Sequence, residues 1–398
     1  MLLAGVLASC GMEWPGETKD RETSVVRELM PVMREPNRLA IGHSVVVGLK
    51  DDGTLWSWGV GVSGALGNGS TGRQQLSPAP IAGMTDFIEV SGLGSHFLAL
   101  RKDGTVWSWG DNEYGQLGYP TERNFSATPA MVPGLQGIIS VAAGAAHSLA
   151  IDKDGVVYAF GKNESSKLGI GSSLVEKHIE PLVVGRINNA VRVIAGVSNS
   201  ALLTMNGTAY LWGNNRGRYV AFDSRKEVEE IGSVTISGVR DVSFGYGLTC
   251  LLMRNGDVFS SGFNNAGQLA QGDFRGRPNR WVKAKGLPYV EKISADGMAV
   301  MALDESGGVW EWGAAVLGPP PGSDTATPVE KKGFKDGAKI VDIYMASVGA
   351  AAAENGSVYF WGADRDGMRG TGRKSTPPSF FFGKRNWVNP QKSLWTSK

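Results

Sequence analysis

Apolar and polar positions alternate along this chain in short runs, and the clearest run is repeated seven times. Its second copy reads Asp103-Gly104-Thr105-Val106-Trp107-Ser108-Trp109-Gly110. The others run from Gly53 to Gly59, Gly155 to Gly161, Gly207 to Gly213, Gly256 to Gly262, Gly307 to Gly313 and Gly356 to Gly362. First glycines recur every 49 to 52 residues, a period that marks a repeat architecture. Asp, Asn or Ser precedes each one, and an Asp-Gly or Asn-Gly pair supplies the positive φ angles of a tight hairpin turn. Next comes a strand with a ring at every second position: Trp56 and Trp58, Trp107 and Trp109, Tyr158 and Phe160, Tyr210 and Trp212, Trp310 and Trp312, Tyr359 and Trp361. The fifth copy has Phe259 followed by Ser261. Period two sets each pair on one strand face, and Leu55, Val106, Val157, Ala209, Val258, Val309 and Val358 on the other. A strand apolar on both faces belongs between two layers. Core packing accounts for these rings better than an aromatic ligand cage does.

Two more strand-like pieces precede each hairpin, such as Phe87-Ile88-Glu89-Val90 and His96-Phe97-Leu98-Ala99-Leu100. A Pro-marked piece follows it after a loop, as in Pro129-Ala130-Met131-Val132 and Pro181-Leu182-Val183-Val184, and Pro suits an outer edge. Four strands in each of seven repeats predict an all-β fold, a seven-bladed β-propeller of four-stranded antiparallel blades. Blades add to one ring, so 398 residues need not divide into separate cores. Pro31-Val32 and Pro377 to Phe382 both compete for the outer strand that closes the ring. The pattern does not choose between them.

Composition changes little. The 56 glycines fit many hairpins and show no collagen-like triplet. A net charge of +2 favours neither a nucleic-acid binder nor an acidic-tail protein. Cys10 and Cys250 cannot build a disulfide framework, and Cys250, in a strand-like run, reads as a buried inert thiol. The expected layout is a possible lipoprotein signal over 1–10, a polar tether over 11–24, the propeller over 25–385 and a C-terminal tail over 386–398 that matches no repeat.

The run Leu7-Ala8-Ser9-Cys10 resembles the lipobox of bacterial lipoproteins, which implies lipidation of Cys10 and a place at the bacterial cell envelope. No later segment is long and apolar enough to span a bilayer, so membrane contact is expected only through that lipid anchor. A cytoplasmic location is the alternative.

Gly144-x-x-His147-Ser148-Leu149-Ala150-Ile151, followed by Asp154-Gly155 and a closing aromatic-Gly, resembles the repeat of the regulator of chromosome condensation family. Trp109-Gly110-x-Asn112-x-x-Gly115-Gln116-Leu117-Gly118 and Asn264-Asn265-Ala266-Gly267-Gln268-Leu269 carry the same resemblance, which covers about residues 30–383. It implies a seven-bladed propeller. The founding activity of that family is guanine-nucleotide exchange on a small GTPase coupled to chromatin. Other members resemble inhibitors of secreted enzymes or ubiquitin-ligase modules. The repeat motif builds blades and encodes none of these activities.

Candidate chemistry is sparse. The family's histidine position holds Val45, His96, His147, Asn199, Leu248, Ala299 and Val348, and two histidines in separate blades make no metal set. Ser148 follows His147, but neighbouring strand residues face opposite ways, so the two are no base–nucleophile pair. Carboxylates such as Asp52, Asp103, Asp154 and Asp304 cluster at hairpin tips, where turn formation explains them. Neither an enzyme nor a bound cofactor is expected.

The loops after the closing glycines must open on the disc face opposite the tips. Two of them lean basic: Arg275, Arg277 and Arg280 with Lys283 and Lys285 in the fifth repeat, and Arg365, Arg369, Arg373 and Lys374 in the seventh. They form a candidate patch for an acidic protein partner or a polyanion. Loops Asn214 to Ile231 and Gly318 to Gly322 abandon the Gly-Gln-Leu-Gly form and are further candidates for recognition. The expected protein is a monomeric scaffold that binds a macromolecule and no nucleic acid. An exchange factor for a small GTPase and a secreted enzyme inhibitor are the alternatives.

Overall fold

In the computed structural model, the chain is described over residues 37–171, 174–220, 226–275, 280–314, 324–334, 339–346, 348–362, 368–371 and 391–396. Seven four-stranded antiparallel sheets follow one another in sequence, each with its strands in chain order from first to outer. Blade two is typical: Phe87–Ser91, His96–Arg101, Val106–Asp111 and Phe125–Met131. The all-β seven-bladed propeller expected from the repeat is the fold observed.

The two glycines of each copy do different work. The first closes a turn in which its N–H returns to the carbonyl three residues back, as Gly53 does to Lys50 at 3.0 Å and Gly104 to Arg101 at 2.9 Å. Only the glycine takes positive φ, near +80°, and the Asp before it does not. Asp52 and Asp103 instead accept bonds at Oδ1 from the N–H and hydroxyl of Thr54 and Thr105. This is a turn with a glycine bulge rather than one in which both central residues have positive φ. The closing glycine pairs with the first residue of the second strand in every blade, for example His96↔Gly110, Asn199↔Gly213 and Leu248↔Gly262. Its φ lies between +95° and +130°. A Cβ there would meet backbone at once, at 2.3 Å from the Ser95 carbonyl for Gly110 and 2.1 Å from the Gly247 carbonyl for Gly262.

The core lies between blades. Trp58, Trp109, Phe160, Trp212 and Trp361 are fully buried, whereas the first ring of most pairs, such as Trp56 and Trp107, is half-buried nearer the hairpin tips. Each apolar cluster joins neighbouring sheets. Leu39, Val46 and Trp58 of blade one pack with Val348, Val358 and Phe360 of blade seven, and Trp58 meets Phe360 edge-on with ring centroids 6.1 Å apart. Fully buried rings of this size carry much of the apolar stabilisation of a fold.

Closure of the ring departs from the sequence reading. Pro31-Val32 and Pro377 to Phe382 lie outside the described residues. Residues 386–398, read as a tail, contribute Gln391–Thr396 as the outer strand of blade seven, paired through Ser357↔Thr396 and Tyr359↔Lys392. Blade one takes all its strands from Leu39–Pro80. Among the described residues neither terminus lends a strand to the other's blade, and side-chain packing holds the seam.

Candidate functional site

The strands divide the disc into two faces. One carries the hairpin tips between second and third strands. The other carries the turns between first and second strands and the loops from third to outer strands. Asp52 and Asp103 on the tips have their carboxyls held below the ordinary range by the threonine hydroxyls bonded to them. These carboxylates make turns, as their sequence context implies.

The loop face is built on an asparagine clamp. Oδ1 of Asn112, Asn163, Asn215 and Asn264 accepts the N–H of Leu117, Leu168, Val220 and Leu269 at 3.0–3.1 Å. Blade four keeps this clamp although its loop lacks the Gly-Gln-Leu-Gly form. Arg218 takes the left-handed place filled elsewhere by Gly115 and Gly267, with φ +59°, and Tyr219 and Val220 are buried. The near half of that loop is therefore scaffold, not a free recognition arm.

Adjacent blades are latched by polar groups. Indole Nε1 of Trp109, Trp212 and Trp312 donates at 3.0 Å to the carbonyls of Ala65, Lys167 and Gln268, each in the loop of the preceding blade. Trp58 does the same to Met368, at 2.6 Å across the seam. Ser261, the residue that breaks the aromatic pattern, keeps a donor there and bonds the Arg218 carbonyl at 3.2 Å. Trp361 meets a carboxylate instead, Glu311 Oε1 at 2.5 Å, and Lys331 lies 3.4 Å from Glu311 Oε2. Burial pushes the Glu311 carboxyl up, against the pull of Lys331.

The histidines belong to the same system. His96 Nε2 lies 2.9 Å from Ser148 Oγ of the next blade, and His147 Nε2 lies 2.9 Å from Ser200 Oγ. Each serine gives its only proton to a loop carbonyl, Gln116 or Lys167, both at 2.7 Å. The histidine must therefore be the donor, protonated on Nε2 and neutral. Burial lowers the His96 pKa to about 3 and pushes His147 well down as well. Sequence reasoning compared neighbours within one blade and missed these pairs. The available signal was a serine one place past the histidine position in the following repeat. All four side chains are fully buried with their protons committed, so these pairs hold blades together and do no chemistry. Cys250 is also buried, with its thiol pushed up to about 12. No group of three or more metal-ligating side chains occurs among the described residues.

The first strands surround a central channel of about 450 Å³. At the register position where a first strand resumes pairing after its bulge stand Glu89, Ser140, Arg192, Asp241, Lys292 and Asp342, and Arg38, whose carbonyl accepts the Leu49 N–H, holds the equivalent place in blade one. Arg192 pairs with Asp241 at 2.8 Å and Lys292 with Asp342 at 3.4 Å, each joining two blades of this belt, whereas Arg38 pairs with Asp51 of its own blade. Ser140 accepts the Val193 N–H of the next blade at 3.3 Å.

Of the basic candidates, Arg275 and Arg280 are exposed in the fifth loop and Arg369 is half-buried in the seventh. The sixth blade stands between these loops, so the described members do not form one contiguous cluster. Arg277, Arg365, Arg373, Lys374 and Cys10 lie outside the described residues. The sequence reading did not single out Tyr246. With His43 of blade one it is one of two bulky side chains at the apex of the turns between first and second strands, where Gly94, Ala145, Val197, Gly297 and Ala346 stand elsewhere, and it is 63% exposed. Its ring leans on Phe263, which meets buried Tyr219, giving a run of rings from core to surface beside the fifth loop. Phe274 is exposed in that loop.

Comparison with known proteins places these features. The profile described as RCC1-like domain matches residues 5–318. The ultraviolet-B receptor UVR8 of Arabidopsis thaliana is 28% identical over 354 residues, covering 84% of this chain and 78% of UVR8. The human E3 ubiquitin-protein ligase HERC2 is 29% identical over 339 residues, 80% of this chain but 7% of that protein. The chain thus spans most of one relative and a small part of the other. In a solved structure, yeast RCC1 (Prp20) bound to Kap60 superposes with a TM-score of 0.70 at 20% identity, covering 96% of this chain and 89% of Prp20.

Proposed function

The chain belongs to the RCC1-like domain family, and from that premise we propose that it is a non-catalytic scaffold that captures an acidic protein partner on its loop face. One observation carries this reading. The buried polar groups hold blades to each other, while the loop face of blade five presents Tyr246, Phe274, Arg275 and Arg280 to solvent. Tyr and Arg dominate the energetics of protein interfaces, and exposed arginines favour an acidic partner. The solved structure of Kap60 bound to yeast RCC1 (Prp20) supports a protein partner as the kind of ligand to seek.

The basic residues of the fifth and seventh loops, Arg275, Arg277, Arg280, Arg365, Arg369, Arg373 and Lys374, are proposed as the electrostatic part of that surface. Cys10 is proposed as a lipid attachment point that would place the scaffold at a bacterial envelope, on the strength of Leu7-Ala8-Ser9-Cys10.

Affinity capture with the full chain, compared with Tyr246→Ser combined with Arg275→Glu and Arg280→Glu, tests the binding reading. A partner retained by the parent and lost by the variant, with release at raised salt, is expected. Capture that ignores all three substitutions would refute the assigned face. Accelerated nucleotide release from a captured GTPase would select the exchange-factor alternative. Mass spectrometry of the mature amino terminus tests the anchor: a diacylglyceryl group on Cys10 is expected, and an unmodified thiol there would reject it.

A further inference from the structure

Blade three ends in the longest outer strand among the described residues, Lys177–Arg186, ten residues where the others have two to seven. Its rim is unusually apolar. Ile179 and Val183 are 41% and 56% exposed, and Leu174 and Val175 just before the strand are exposed too. No other outer strand whose side chains are described exposes more than one large apolar residue, Met131 in blade two and Val329 in blade six. Exposed charges of opposite sign, Glu176 and Arg186, bracket the strip. Arg186 Nε donates to the Asp154 carbonyl at 3.0 Å, and neither side chain has an ion-pair partner among the described residues.

We propose that this rim docks on itself in a second copy of the chain, the two strands lying antiparallel about a two-fold axis at Pro181. The sequence of the strip is complementary to itself in that register. Ile179 of one copy falls opposite Val183 of the other, and Glu176 falls opposite Arg186. A two-fold interface makes every such contact twice. Two apolar pairs then occupy the centre and two ion pairs the ends, the arrangement of an apolar core within a polar rim. Pro181 has no N–H to donate, and the strand's pairing with its own blade shifts register on both sides of Leu182–Val183. These irregularities keep a continuous backbone ladder from crossing between copies, so side chains carry the contact. A single strand's width falls well below the roughly 1,000 Å² at which stable interfaces begin, so the dimer is weak and concentration-dependent. This surface lies on the outer rim and does not depend on a partner at the loop face.

Sedimentation velocity of the full chain across roughly a hundredfold range of concentration tests it. The weight-average coefficient is expected to rise toward that of a dimer, less so at high salt. Val183→Asp should abolish the rise. Glu176→Arg and Arg186→Glu should each weaken association by about tenfold or more, and their combination should restore it. All four side chains are exposed, and unchanged circular dichroism will show that each variant is folded. A single species at every concentration overturns the proposal. So does self-association indifferent to Val183→Asp, or a double reversal that recovers nothing.

Discussion

His96 of the second blade donates across the blade boundary to Ser148 of the third at 2.9 Å, and the serine passes the bond back to the Gln116 carbonyl at 2.7 Å. His147 and Ser200 repeat the arrangement one blade further on. A charged imidazole would bury a second N–H, on Nδ1, for which neither latch provides an acceptor. The folded state therefore binds fewer protons than the unfolded chain once pH falls below the ordinary histidine value of about 6.5.

Stability should consequently fall as pH is lowered through 6.5, and for His96 it should keep falling toward its folded value of about 3. One histidine kept neutral contributes about 1.4 kcal/mol per pH unit in that window, so each latch loses about 2 kcal/mol between pH 7 and pH 5. Urea midpoints measured across this range should show the slope. His96→Gln combined with His147→Gln should flatten it while lowering stability at pH 7. An unchanged slope in the double variant would mean that other groups govern acid unfolding.

Trp58→Ala should be costly in a particular place. It removes the fully buried ring that packs on Phe360 and bonds the Met368 carbonyl, at the boundary where no strand is shared. A loss of about 3–5 kcal/mol is expected from the cavity and the broken bond. Hydrogen exchange should quicken in blades one and seven before the others. Uniform quickening around the ring would contradict a weak seam.

Two glycine substitutions should separate cleanly. Gly262→Ala places a Cβ 2.1 Å from the Gly247 carbonyl at φ +130°, and should cost several kcal/mol or prevent folding. Gly72→Ala meets nothing within 4 Å at φ +71°, and should cost about 1–2 kcal/mol from backbone conformation alone. Similar melting temperatures for the two variants would argue against the closing glycine's steric role.

Glu311 stands where other blades offer a loop carbonyl to the next blade's indole. Removing the carboxylate by Glu311→Ala deprives both Trp361 and buried Lys331 of a partner, for an expected loss of about 3–5 kcal/mol. Glu311→Gln keeps an acceptor for the indole and should lose less. A double-mutant cycle with Lys331→Met should give a coupling energy above about 1 kcal/mol, and additivity would show that the two groups act separately.

The repeat made the blade legible in the sequence because its signals lie within one period: the turn glycine, the alternating rings, the closing glycine. What joins blades did not show, because His96 and Ser148, or Trp212 and Lys167, are partners only after the ring has formed. Ser261 looked like a lapse in the aromatic pattern, yet it retains the donor that the position requires and gives up only the ring. Gln391–Thr396 resembles no other outer strand. An edge strand asks for backbone pairing and little else, so its side chains leave few marks to read. The candidate surface was half visible. The arginines of the fifth loop stand out by charge, while Tyr246 is one aromatic among many until the fold sets it at the apex of an exposed turn.

The belt around the channel settles a matter of parity. Plus and minus signs can alternate without fault around an even number of places, but an odd circle forces one place to break the rhythm. Arg38, Glu89, Arg192, Asp241, Lys292 and Asp342 keep strict alternation, and uncharged Ser140 occupies the single leftover place. Duplicating any one charged repeat would set two like charges side by side, so this chain's ionic pattern resists growth of the ring.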